Sequence, residues 1–176
     1  SVASGDRLWI TCMFDNPLGR DYPAVFLEAR VTFAFRRTDA MEQKALLPFG
    51  VDVNAPVLGY WVPPGRHERE IVFQFPFAGR IVFMMAHFHQ YGHSLTLEDA
   101  SRRRVLWVAT PEFAPDGQLI RIPSWSSATG IRVQPDESYR LIARYHNPTP
   151  QPIDAMGVLM AFIHPDDETT DRRPRL

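Results

Sequence analysis

The chain has 176 residues, 45% of them hydrophobic and 22% charged, with a formal net charge of -1 at pH 7. That composition suits a single globular domain and excludes a disordered chain, and the near-neutral balance gives no electrostatic reason to bind nucleic acid or an anionic membrane. No apolar run approaches the ~18 residues of a membrane span, and sixteen prolines without a long helical periodicity argue against an all-α protein.

At the N-terminus, Ser1-Val2-Ala3-Ser4-Gly5 lacks a basic region followed by an apolar stretch. The expectation is either a cytosolic protein or one whose targeting segment is absent from this chain. Cys12, the only cysteine, can form neither an intrachain disulfide nor a multi-thiolate metal site. Flanked by Leu8-Trp9-Ile10-Thr11 and Met13-Phe14, it reads as a buried small hydrophobe.

Turn signals recur at short intervals: Asp15-Asn16-Pro17, Asp21-Tyr22-Pro23, Pro63-Pro64-Gly65, Pro115-Asp116-Gly117, Pro135-Asp136 and Asn147-Pro148. The aromatic and β-branched runs between them predict strands over 7–14, 29–36, 70–76, 80–89, 103–109, 118–123, 138–146 and 156–163. Only 38–47 has the pattern of a short helix, with Thr38 as its N-cap. About eight strands without helical crossovers imply an all-β protein, an antiparallel β-sandwich or jelly roll. It is expected as a single domain over 1–164 with a polar tail over 165–176. The basic run Arg102-Arg103-Arg104 has no second cluster or arrayed aromatics beside it, so it reads as a solvated turn.

The segment that carries chemistry is Met84-Met85-Ala86-His87-Phe88-His89-Gln90-Tyr91-Gly92-His93. Residues i and i+2 of a strand face one side, roughly 6.6 Å apart, and imidazoles at that spacing can converge on one metal ion through bonds of about 2 Å. His87 and His89 are therefore the first candidate ligands. His93 shares their parity, but Gly92 is placed to break the strand and re-aim it, which makes His93 a conditional ligand. His67 follows the Pro-Pro-Gly turn and is expected to face solvent, and no role is assigned to His164. Strands ending at His146 and opening at Met156 leave 147–155 as a hairpin loop, which would bring those two residues together. A thioether beside two imidazoles is a copper-favouring set, so Met156 is a candidate and His146 competes with His93 for a fourth position.

Met85-Ala86-His87-Phe88-His89-Gln90-Tyr91-Gly92-His93, followed by Ser94-Leu95-Thr96-Leu97, resembles the His-x-His-x-x-Gly segment of the copper type II, ascorbate-dependent monooxygenases, which include the peptidylglycine α-hydroxylating and dopamine β-monooxygenases. The later stretch from Ile131 through Met156-Gly157-Val158-Leu159-Met160 looks like the last strand pair of that family's second domain, a jelly roll. The resemblance covers roughly residues 50–163 and implies copper, as Cu(I) and Cu(II), held by His87, His89 and Met156. The family's first domain, with its three-histidine copper, has no counterpart here, and His93 stands where the animal enzymes carry a non-ligand residue. A site closed by a third histidine suits holding copper, since catalysis needs an open position.

The leading expectation is therefore a copper-binding protein for storage, delivery or sensing, extracytoplasmic (periplasmic or secreted), with a copper-trafficking protein as its partner. Three alternatives stand beside it. One is a copper-dependent, monooxygenase-like enzyme supplied with electrons from outside. Another is a cupin-like metalloenzyme, although the glutamate that cupins carry after the histidine pair is replaced here by His93 or Ser94. The last is a metal-free sandwich that binds a partner.

Overall fold

The structure, a computed structural model, describes residues 46–115 and 119–166, with eight isolated positions among the first 45. Lys44–Leu176 forms one compact unit and Ser1–Gln43 another. The strands expected over 7–14 and 29–36, like Cys12, fall largely or wholly outside the described residues. Of the helix expected over 38–47, only Leu46 and Leu47 are described, and Leu47 opens a strand instead.

Twelve strands lie among the described residues: β1 (Leu47–Asp52), β2 (Tyr60–Val62), β3 (Gly65–Phe73), β4 (Gly79–Phe88), β5 (Gly92–Asp99), β6 (Arg104–Ala109), β7 (Glu112–Phe113), β8 (Leu119–Arg121), β9 (Trp125–Val133), β10 (Tyr139–Asn147), β11 (Ile153–Ala155) and β12 (Gly157–Pro165). The protein is all-β, with no helix among the described residues. One four-stranded sheet runs β1-β12-β4-β9 and the other β3-β10-β5-β6, and β11-β2 and β7-β8 form small ribbons. All pairings are antiparallel. Among the described residues β1, β2, β5, β7, β9 and β11 fall outside the strands expected from the sequence. β5 follows β4 after only three residues, and the Gly130 turn conformation at φ 69° interrupts the pattern of β9.

The two sheets close on one core. Met84, Ala86 and Phe88 of β4 and Leu159, Ala161 and Ile163 of β12 bury their side chains with Leu95 and Leu97 of β5 and Leu141, Ala143 and Tyr145 of β10. Gly157 lies so close to β10 that a Cβ there would come within 2.5 Å of the Ala143 Cβ. β12 runs to Pro165, and Asp166 pairs with Arg132 at 2.6 Å, so the sheet extends past the expected domain end at 164.

A bulge at Val82 sets the orientation of β4. Ile81, before it, is fully buried; after it the buried set becomes Met84, Ala86 and Phe88. One extra residue thus exchanges the odd and even positions of the strand. His87 is turned to the outer face.

Of the arginine run, Arg102 and Arg103 lie in the β5–β6 turn, as expected, and Arg104 opens β6. Arg102 binds Asp99 at 2.8 Å and Glu137 at 2.5 Å, stapling the β5–β6 turn to the start of β10.

Candidate metal-binding site

Past the bulge, the outward positions of β4 are Met85 and His87, with His89 continuing the alternation just beyond the strand. The imidazoles of His87 and His89 stand edge to face with ring centroids 5.3 Å apart. In the register of β12, Val158 opposes His87 and Gly157 opposes Phe88, where the pairing ends; Met156 and His89 are the next residues beyond it.

Tyr145 joins those two residues from the other sheet. Its hydroxyl accepts the backbone N–H of His89 at 3.1 Å and that of Met156 at 3.2 Å, and donates to the Met156 carbonyl at 2.5 Å. One buried oxygen therefore holds the backbones of two candidate ligands together. Burial pushes the Tyr145 hydroxyl up to about 12, although the two N–H donors oppose the rise, so it keeps the proton that it donates.

The orientation of His89 comes from Asp154. His89 Nδ1 lies 2.8 Å from Asp154 Oδ2, a contact that in the neutral ring places the proton on Nδ1 and makes Nε2 the acceptor. A carboxylate behind an imidazole is the usual outer support of a metal-binding histidine. Asp154 belongs to β11, which pairs with β2. The buried Asn147 side chain braces the intervening loop, donating to the Val62 and Gln151 carbonyls and accepting from Thr149.

Asp52 adds a second carboxylate. Asp52 opposes Val158, which opposes His87, so all three lie in one row across the sheet. Asp52 is 3% exposed; one of its oxygens accepts the Asn54 N–H at 2.7 Å, and Oδ2 has no hydrogen-bond partner among the described residues. Burial lowers the His87 imidazole below its ordinary 6.5, the neighbouring His89 lowers it further, and Asp52 opposes the shift. A neutral imidazole has a lone pair to offer a metal ion.

His93 and His146 stand elsewhere. The chain leaves the first sheet at His89 and enters the second at Gly92, with Tyr91 in the left-handed region at φ 67°. Parity cannot be carried across a change of sheet. His93 is the extra residue of a bulge between Arg144 and Tyr145 of β10, and it is exposed on the second sheet. Gly92 packs on Phe88, where a Cβ would come within 2.7 Å of that ring. The loop after His146 likewise changes sheets, from β10 to β12 by way of β11, so it is no simple hairpin. Tyr145, not His146, is the residue that meets Met156. His146 instead shares with His93 a cleft of about 470 Å³, lined also by Arg66, Glu68 and Arg144. Among the described residues, no three His, Cys, Asp or Glu side chains gather as a metal cluster. His67, expected in a turn, lies half-buried in β3 with its ring 6.2 Å from that of Tyr60.

Sequence reasoning missed Asp154, Tyr145 and Asp52. Asp154 carried a usable signal, an acidic residue two positions before a candidate ligand. Tyr145 and Asp52 had none, because their roles come from the opposite sheet and from a neighbouring strand.

Comparison with protein-family models, with curated proteins and with solved structures finds no match. Geometry alone carries the functional reading.

Proposed function

We propose that this chain is a copper-binding protein whose mononuclear site is formed by His87, His89 and Met156, serving copper storage, delivery or sensing. The observation that carries the reading is the outer face of the first sheet. It presents two imidazoles 5.3 Å apart, one of them backed by a carboxylate at 2.8 Å, with the backbone of Met156 held to that of His89 through the Tyr145 hydroxyl. Two borderline nitrogen donors and one soft sulfur suit copper better than zinc, iron or manganese. The ligands would be Nε2 of His89, a nitrogen of His87 and the Met156 sulfur.

The order of the strands supports a jelly roll. The eight long strands, numbered along the chain, stand 1-8-3-6 in one sheet and 2-7-4-5 in the other, the winding of two Greek keys. This agrees with the resemblance to the methionine-ligated domain of the copper monooxygenases. Imidazole and thioether ligands need no reduced thiol, which suits an extracytoplasmic site handing copper to a trafficking partner.

The test is copper affinity by competition with a chelator. The His87→Ala and His89→Ala variants should each lose most of it, since either change leaves a single imidazole on the strand. Undiminished affinity in the double variant would overturn the assignment.

A further inference from the structure

The same face holds a second set of soft donors that the His-His-Met site does not use. Met160 of β12 is the direct cross-strand partner of Met85 of β4. Both are well exposed, at 39% and 43%, whereas Met84, the inward neighbour, is fully buried. Met84 fills space in the core, whereas Met85 and Met160 are set side by side at the surface. Gly50 is the β1 neighbour of Met160, with its Cα edge so near that a Cβ would lie 3.4 Å from the Met160 sulfur. Gly50 therefore places no side chain over that sulfur. On the far side of the pair, Phe83 and Phe162 stack edge to face at 5.9 Å.

Directly opposed residues of an antiparallel pair carry their Cβ atoms about 5 Å apart, so two flexible thioethers can reach one ion between them. The next outward row, His87 and Val158, lies roughly 6.8 Å further along the strands, and His89 and Met156 follow beyond the end of the pairing. The face thus runs from two thioethers, through one imidazole, to a second imidazole and a third thioether.

We propose that Met85 and Met160 form a second, thioether-only site for Cu(I), from which the ion passes along the face to His87, His89 and Met156. The inference rests on the copper reading and extends it to delivery. Neutral sulfur donors select the monovalent ion and discriminate against Cu(II). The transfer is an exchange of ligands, with no change in the oxidation state of copper and no proton moved at the sulfurs.

The test uses protein carrying ¹³C-labelled methionine methyl groups, titrated under argon with Cu(I) and, separately, in air with Cu(II). The expected result is a second equivalent of Cu(I), with the methyl signals of Met85 and Met160 shifting in response to Cu(I) and not to Cu(II). The Met85→Leu/Met160→Leu variant should lose that second equivalent while melting as the parent does. Unmoved Met85 and Met160 signals, in a protein that still binds copper through its histidines, would sink this inference alone. Shifting signals in a protein with no histidine-dependent copper binding would instead sink the His-His-Met reading. Retention of both Cu(I) equivalents by the double leucine variant would also overturn the proposal.

Discussion

At the start of β12, Met156 offers a neutral, polarizable sulfur where leucine would offer nearly the same volume and no donor. Met156→Leu should cost less than about 1.5 kcal/mol of stability, so the fold is its own control. The variant should lose Cu(I) affinity by more than Cu(II) affinity, measured with chelators selective for each ion; equal losses would return Met156 to a packing role. Asp154 acts one bond further out. It holds Nδ1 of His89 at 2.8 Å and so fixes the ring, and its replacement by Asn or Ala should weaken copper binding about 10–100-fold. The nitrogen chemical shifts of the metal-free protein provide a direct check, since Asp154→Ala should populate the Nε2-protonated ring.

Two strands are brought together at this site by a third. The Tyr145 hydroxyl on β10 bonds to His89 and Met156 across the sandwich, and Tyr145→Phe leaves two buried N–H groups without that acceptor. A loss of about 1–3 kcal/mol is expected, with a parallel fall in copper affinity. A stability loss with unchanged affinity would show that the hydroxyl supports the sandwich and not the site. Packing between β12 and β10 is equally tight at Gly157, where a Cβ would come within 2.5 Å of the Ala143 Cβ. Gly157→Ala should therefore destabilise by about 1–3 kcal/mol, read as a lower urea midpoint.

At the scale of the whole molecule, the staple between the β5–β6 turn and β10 makes stability depend on acid through two carboxyls. Burial works to raise the Asp99 carboxyl, but hydrogen bonds from Arg102 and the charges of Arg102 and Arg104 hold it below its ordinary 3.8. Hydrogen bonds from Arg102 and then Tyr139 hold Glu137 below its ordinary 4.5. Both carboxyls are more acidic folded than unfolded, so their contribution is fully present above those ordinary values and is lost as pH falls through the lowered ones. The melting temperature should accordingly fall on acidification below about pH 4. In Arg102→Ala that acid-dependent part should shrink, because the folded carboxyls return toward their ordinary values; an unchanged acid profile would count against the staple.

Much of this was legible in the chain itself. Alternation, turn residues and the shortage of helical periodicity determined an all-β protein, and the i, i+2 spacing put His87 and His89 on one side of one strand because the pleat has a period of two. Which side remained open. The bulge at Val82 turned the pair outward, and a bulge is a mismatch between neighbouring strands that only the assembled sheet reveals. The separation of His93 and His146 from the pair was likewise decided in three dimensions, because both connections change sheets and parity holds only within a continuous strand. Asp52 and Tyr145 reached the site through pairing and packing partners distant in sequence, contacts that closing the sandwich alone creates.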